Sequence, residues 1–212
     1  MKLYYAPGAC SLSPHIVLRE LGLDHQLERV DLRTQPHRTA SGEDFSQISA
    51  KGYVPALRLA DGELLTEGPA IVQYLADQKP EAGLLAPAGS LARARAQEWL
   101  NYIASELHKN FGALFRPDGP DEVKQAADKL LTEQSKLNLA QRLRFTAEAL
   151  QDRDYLVGER FGVADAYLFV VLGWCQYLAV DLAPYPTLQA FQQRIAERPA
   201  VQAALKAEGL LK

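Results

Sequence analysis

Cys10 is the most reactive side chain this sequence offers, and its surroundings decide what it could do. It falls in a loop between a first apolar run, Lys2 to Tyr5, and a helix signalled by Ser13-Pro14. A thiol close to a helix N-terminus meets the positive end of the helix dipole, which favours the nucleophilic thiolate. The tetrad Cys10-Ser11-Leu12-Ser13 keeps the C-x-x-C frame of a redox loop, with serine in place of the second cysteine. No internal disulfide can close there, so any disulfide at Cys10 must use an external thiol. A lone cysteine more often acts as a small hydrophobe, and Cys175, inside an apolar run, reads that way.

Three further groups could serve that thiol. Val54-Pro55 opens an apolar run after a strand–thiol–helix unit. A cis bond before Pro55 would turn the Val54 backbone outward, where an extended peptide could pair with it. Glu67-Gly68 stands where a strand gives way to a helix. Backbone N–H groups at such a point suit a carboxylate, and the Glu67 side chain suits an ammonium beside it. Asn101, Ser105 and His108 recur at i, i+4 and i+7, on one helical face, with Lys109 following. A histidine near a thiol can exchange protons with it or stabilise its anion. Each group also has a plain structural reading: an edge-strand proline, an acidic helix start, a solvated helix face.

These residues need elements to hold them. The spacing predicts a strand at Lys2–Tyr5 and a helix from Ser13, its cap, through Ile16, Val17 and Leu21 to Gly22. A second strand follows around Val30 and Leu32, then a loop over Thr34–Gly42, with a weak helix before Lys51. A hairpin turns at Asp61-Gly62, and a helix runs over Glu67–Asp77. That order gives an α/β unit with a mixed sheet over residues 1–80 and a linker over 81–90. An all-helical part covers 91–212, with a buried helix over Val163–Val180. Helical spacing recurs over Leu91–Phe115, Asp121–Leu150, Thr187–Glu197 and Ala200–Ala207, broken at Pro117–Pro120.

Composition narrows the functional class. The chain has 212 residues, a hydrophobic fraction of 48% and a net charge of −3, and it carries no Lys/Arg-rich block. Nucleic acid is therefore not an expected partner. The apolar run from Ala166 to Val180 is too short to span a bilayer, so no membrane association is expected. Two cysteines and no signal-peptide pattern point to a reduced, cytoplasmic setting. The histidines, at 15, 25, 37 and 108, show no metal-ligand spacing.

Taken together these segments resemble the beta-class, cysteine-bearing glutathione S-transferases of bacteria. YYAPGACSLSPHIVLRE, KGYVPAL, LLTEGPAIVQYLAD, EWLNYIASELHKNFGALFRP and VADAYLF are similar to that class in order and spacing. The resemblance implies a thioredoxin-like N-terminal domain, an all-helical C-terminal domain and a homodimer. It implies glutathione lying along Val54 and Pro55, with its γ-glutamyl end at Glu67 and Gly68 and its sulfur facing Cys10, as a thiol or as a mixed disulfide. Asn101, Ser105, Glu106, Leu107 and His108 match positions lining that site, and His108-Lys109 match the pair near the thiol. Gln35 stands where the family often has a lysine for the glycyl carboxylate; Arg33, Arg38 and Lys51 are the cations that could replace it. The implied activity is attack of the glutathione thiolate on a small hydrophobic electrophile, held against Phe111, Phe115 and Trp174, with thiol–disulfide exchange through Cys10 as a related chemistry. A non-enzymatic binding or regulatory protein on the same scaffold is the alternative; its mark would be a lost thiol or a lost Glu67. The family's buried helix usually opens on a Ser/Thr-x-x-Asp capping box. Gly162 and Asp165 stand there instead, and Gly162→Ser is expected to be neutral or stabilising.

Overall fold

A computed structural model describes residues 1–115 and 122–211. The expected break at Pro117–Pro120 lies outside them. All strands among the described residues fall in the first third of the chain: β1 (Lys2–Tyr5), β2 (Gln26–Asp31), β3 (Arg38–Thr39), β4 (Ala56–Arg58) and β5 (Leu64–Thr66). They form one sheet of order β3-β2-β1-β4-β5. Only β1 and β2 run parallel, so the sheet is mixed, as the sequence predicts.

The period-2 rule places the two cores. Leu3 and Tyr5 on β1 and Leu57 on β4 face helices α1 (Leu12–Glu20) and α2 (Gly68–Asp77) in the main core. Tyr4, Val30 and Ala56 face the other way, onto Phe45 in a single 3₁₀ turn, Phe45–Gln47. That turn is the weak helix expected before Lys51. Thr34–Gly42, expected as loop, contains β3: Val30 pairs with Thr39 and Asp31 with Arg38, so the chain doubles back as a short edge strand.

From α3 (Leu91–Tyr102) onward every regular element among the described residues is a helix. A π-helical segment, Ile103–His108, leads into α4 (Lys109–Leu114); α5 (Glu122–Ala149), α6 (Val163–Tyr177), α7 (Pro186–Ala196) and α8 (Pro199–Ala207) follow. Helix α6 is the central one, buried along nearly its whole length. It packs on α1, and through it the helical part grips the sheet. No helix among the described residues is long and apolar enough to cross a membrane.

One helix start differs from the sequence prediction. Helix α1 begins at Leu12, and Pro14 sits inside its first turn, where an N–H would have no helical partner. Ser13 is therefore not the cap, and its buried hydroxyl has no hydrogen-bond partner. At α6, Asp165 caps alone: Oδ2 accepts from Gly162 N (2.8 Å) and Oδ1 from Leu156 N (2.8 Å).

The expectation for Gly162→Ser changes sign on packing. A Cβ at 162 would stand 3.0 Å from the Leu84 carbonyl oxygen, which already accepts Val163 N–H at 3.0 Å. A hydrogen-bonded backbone atom cannot step aside cheaply. Gly162→Ser is expected to cost about 1 kcal/mol or more. For a chain of this size that is a fall of some 2–4 °C in Tm. An unchanged or higher melting temperature would show that the Leu84 loop yields after all.

Candidate active site

The loop from Ala6 to Cys10 is fixed from three sides before any ligand arrives. Ser11 Oγ accepts from Ala6 N (3.1 Å) and donates to Ala6 O (3.3 Å). Trp174 Nε1, on α6, donates to Gly8 O (2.8 Å). Glu208, at the end of α8, accepts from Gly8 N (3.0 Å). Gly8 has φ +71°, which an L side chain rarely adopts, so glycine is needed at this turn.

Cys10 follows, partly exposed at the floor of a cleft of about 1730 Å³ between the sheet and helices α3 to α6. Its Sγ donates to the Val54 carbonyl oxygen at 3.3 Å. The Val54-Pro55 bond is cis, as expected, and both residues line the cleft. The expected thiolate is not what the free protein holds. Burial pushes the Cys10 thiol up to about 12, with the Glu67 carboxylate acting in the same direction; the Cys10 and Ser11 backbone N–H groups oppose this but do not outweigh it. The helix-terminus effect is real but smaller than the loss of water around the sulfur. At neutral pH Cys10 is a thiol and a hydrogen-bond donor.

Glu67 stands at the start of α2 with φ +71° and ψ 114°, a sparsely populated conformation for a non-glycine residue, and such conformations cluster at ligand sites. Its Oε1 accepts from Lys51 Nζ and from Tyr53 OH (3.3 Å). The Lys51 hydrogen bond holds the Glu67 carboxyl below its ordinary range, so it is ionised. Gly68 and Ala70, in the first turn of α2, bring backbone N–H groups to the same wall, with Pro69 between them.

Across the cleft, His108 lies at the end of the π segment. Its Nδ1 is 2.7 Å from Tyr167 OH on α6, and its ring meets Trp174 edge-on with centroids 4.7 Å apart. Burial, with Lys109 adding to it, lowers the imidazole to about 4, so the ring is neutral at pH 7. The opposite wall is aromatic: Phe115 packs edge-on against Trp174 (5.5 Å), and Tyr177 extends it.

Of the residues singled out from sequence, Cys10, Val54, Pro55, Glu67, Gly68, Asn101, His108 and Lys109 line this one cleft. Gln35, Lys51, Ser105, Glu106 and Leu107 do not. Gln35 precedes a second cis proline in the β2–β3 connection, Lys51 is held on Glu67, and Leu107 is fully buried. Glu106 pairs with Arg142 (2.9 Å). Ser105 misses the cleft because the i, i+4, i+7 count assumes an α-helix. The π segment takes more residues per turn and shifts the face, so Ala104 lines the cleft and Ser105 Oγ bonds back to Asn101 O (3.0 Å). Phe111 is fully buried behind Trp174 rather than in the cleft (centroids 5.6 Å apart). Of the candidate cations for a carboxylate near position 35, Arg33 lines the cleft, whereas Arg38 bonds Gly42 O (3.1 Å).

Tyr167 was missed, because within VADAYLF a tyrosine reads as core. A signal was present: Tyr167 and Trp174 lie seven apart on one face of a buried helix, and both carry a polar atom that needs a partner. Among the described residues no group of three or more His, Cys, Asp or Glu side chains is placed to hold a metal ion.

The whole chain has known relatives. The family model described as "Glutathione S-transferase, N-terminal domain" matches residues 8–78, and "Glutathione S-transferase, C-terminal domain" matches 102–199. Glutathione S-transferase GstA of Escherichia coli O157:H7 is 51% identical, covering 99% of this chain and all of that one. The bacterial beta-class glutathione S-transferase of Sphingomonas chungbukensis is 45% identical with a TM-score of 0.90, over 100% of both chains. A sphingomonad glutathione S-transferase, solved in complex with glutathione, is 46% identical with a TM-score of 0.88, again over 100% of both.

Proposed function

The chain belongs to the glutathione S-transferase family, among its bacterial beta-class members, and on that footing we propose that its cleft binds glutathione and transfers it to small apolar electrophiles. The observation that carries this reading is convergence. A thiol, a cis Val54-Pro55 edge, an ionised carboxylate beside free helix-terminal N–H groups, and a neutral imidazole all open on one cleft.

The γ-glutamyl end of glutathione carries an ammonium and a carboxylate on one carbon. Glu67 takes the ammonium, and the first turn of α2 takes the carboxylate. The Val54 backbone pairs with the peptide, and Arg33 takes the glycyl carboxylate in place of the lysine that Gln35 displaces. The sulfur then lies between Cys10 and His108. Cys10 S–H leaves Val54 O and donates to the glutathione sulfur. The sulfur loses its proton to solvent and attacks the electrophile, a C–S bond forms, and the leaving group departs. Fixed donors around the sulfur lower the barrier by being in place beforehand. The apolar electrophile rests against Trp174, Phe115 and Tyr177.

Thiol–disulfide exchange is open to the same loop. The Cys10 thiolate attacks a disulfide, one sulfur leaves as a thiol, and a glutathione thiolate attacks the new mixed disulfide to release Cys10. The same reading divides the chain into domains near residues 80–90 and places it in the cytoplasm as a homodimer. Exposed Leu137 and Phe145 on α5 supply apolar surface for the second copy.

Calorimetric titration with reduced glutathione tests the site. Saturable binding is expected in the native protein. Glu67→Gln, which keeps the shape and removes the charge, is expected to weaken it roughly ten- to hundred-fold, the worth of a charge-assisted hydrogen bond. No binding at millimolar glutathione would bring the non-enzymatic scaffold reading forward.

A further inference from the structure

The chemistry above leaves Tyr167 without a role and the tautomer of His108 unassigned. The phenol is buried, 3% exposed, and among the described residues His108 Nδ1, at 2.7 Å, is the one hydrogen-bond partner of its oxygen. One proton lies between two atoms that can each donate or accept. Suppose the imidazole donates from Nδ1. The phenol proton then has no acceptor in a buried place, at a cost that for such a group exceeds the worth of the bond gained. Suppose instead the phenol donates. Both groups are satisfied, and the ring proton is left on Nε2. Packing holds the ring in this orientation: Trp174 meets it edge-on at 4.7 Å and Tyr167 at 6.1 Å.

We infer that Tyr167 is a positioning residue: its phenol holds His108 as the Nε2–H tautomer, so the imidazole faces the cleft as a hydrogen-bond donor to a sulfur anion and not as a base. The part of this that concerns sulfur rests on the function proposed above. The titratable groups around the pair agree with it. Burial, with Lys109 next along the same helical stretch adding to it, keeps the imidazole neutral. Burial, with the Glu67 carboxylate across the cleft and the Cys10 sulfur wherever it ionises, holds the phenol well above its ordinary range, so Tyr167 keeps a proton to donate. The consequence is a site without a built-in base. Cys10 S–H and His108 Nε2–H both donate, and both favour a sulfur that has already lost its proton.

The tautomer can be read directly from nitrogen–proton correlation spectra of the ¹⁵N-labelled protein at pH 7. His108 is expected to show the Nε2–H pattern in the native protein and a mixture in Tyr167→Phe. A native Nδ1–H pattern, or no change in Tyr167→Phe, overturns the inference. The second arm is kinetic, with an activated aryl halide as electrophile. Tyr167→Phe is expected to lower kcat roughly ten-fold with KM for glutathione within about two-fold, the mark of a bond that acts on the anion. The ultraviolet titration of the bound glutathione thiolate should move up by about one pH unit, which is the same ten-fold. His108→Gln, whose amide nitrogen falls near Nε2, should keep several-fold more activity than His108→Asn, whose nitrogen falls near Nδ1. A matching rise in KM with no movement of the titration would mark a merely structural role and overturn the inference. Failure of the native protein to bind glutathione would overturn the function proposed above, and the spectra would still decide the tautomer.

Discussion

Cys10→Ala is expected to abolish glutathione-dependent disulfide exchange while conjugation falls by about ten- to hundred-fold and stays measurable. Exchange needs a sulfur at position 10 to form the mixed disulfide, and nothing else in the cleft can supply one. Conjugation needs only a donor there, and one hydrogen bond to a charged group is worth about 1.5–3 kcal/mol at most. The state of the thiol sharpens the prediction. Burial raises Cys10 to about 12 from an ordinary 9.0, so the thiolate is about a thousand-fold scarcer than for an exposed thiol. Its higher basicity returns part of the loss, since nucleophilicity rises with pKa at a slope of roughly 0.4–0.5. The net expectation is alkylation by iodoacetamide at pH 7.5 some fifty-fold slower than for an unperturbed cysteine. The rate should rise about ten-fold per pH unit up to at least pH 10, because the raised pKa keeps the thiolate fraction climbing over that whole range. A rate that levels off near pH 7 would mean that the helix terminus outweighs burial. Equal loss of exchange and conjugation in Cys10→Ala would contradict the division of roles between Cys10 and glutathione.

That difference over Cys10 shows what the sequence can and cannot say about this site. The loop, the strand before it and the helix after it are local features, and Pro, Gly and apolar spacing mark them. The same holds for the cis Val54-Pro55 bond and for the apolar run that becomes α6. The protonation of Cys10 is not local. It follows from how much protein closes over the sulfur, and α6 and the loop at Val54 come from far along the chain. The π segment was equally hidden. Nothing in Ile103–His108 departs from ordinary helix composition, yet the extra residue per turn decides that Ala104, not Ser105, faces the cleft. Strand β3 exists only because Thr39 finds Val30 across a sheet edge, and Gly162 is needed only because Leu84 passes beside it. In each case pairing with a distant segment overrode a local pattern.

Glu208 is the extreme case, and replacing it should have the largest effect on stability. A glutamate near the end of a chain reads as a solvated charge, but its side chain and that of His15 are both fully buried. Glu208 Oε1 is 2.8 Å from His15 Nδ1, and Oε2 accepts Gly8 N–H at 3.0 Å. Arg19 Nε donates to His15 Nε2 at 2.9 Å, so the histidine must carry its proton on Nδ1 and donate it to Glu208. The carboxyl group of Glu208 therefore holds two donors that have no other partner among the described residues, one of them the backbone of the turn that leads to Cys10. Glu208→Ala strands both in a buried place, and breaking such a buried network costs about 3–5 kcal/mol. At 2–4 °C per kcal/mol the melting temperature should fall by roughly 10 °C. Glu208→Gln keeps one acceptor oxygen but turns an NH₂ toward the other donor, so its loss should be smaller and still clear. The same change loosens Gly8, which Trp174 then holds from one side only. Glutathione affinity should therefore fall in Glu208→Gln at temperatures where the protein remains folded. Thermal melts and calorimetric titration on the two variants separate these effects. A Glu208→Ala protein within 1 kcal/mol of native would show that the end of α8 merely rests on the turn. A Glu208→Gln protein with lowered stability and native affinity would show that the turn keeps its shape through Ser11 and Trp174 alone.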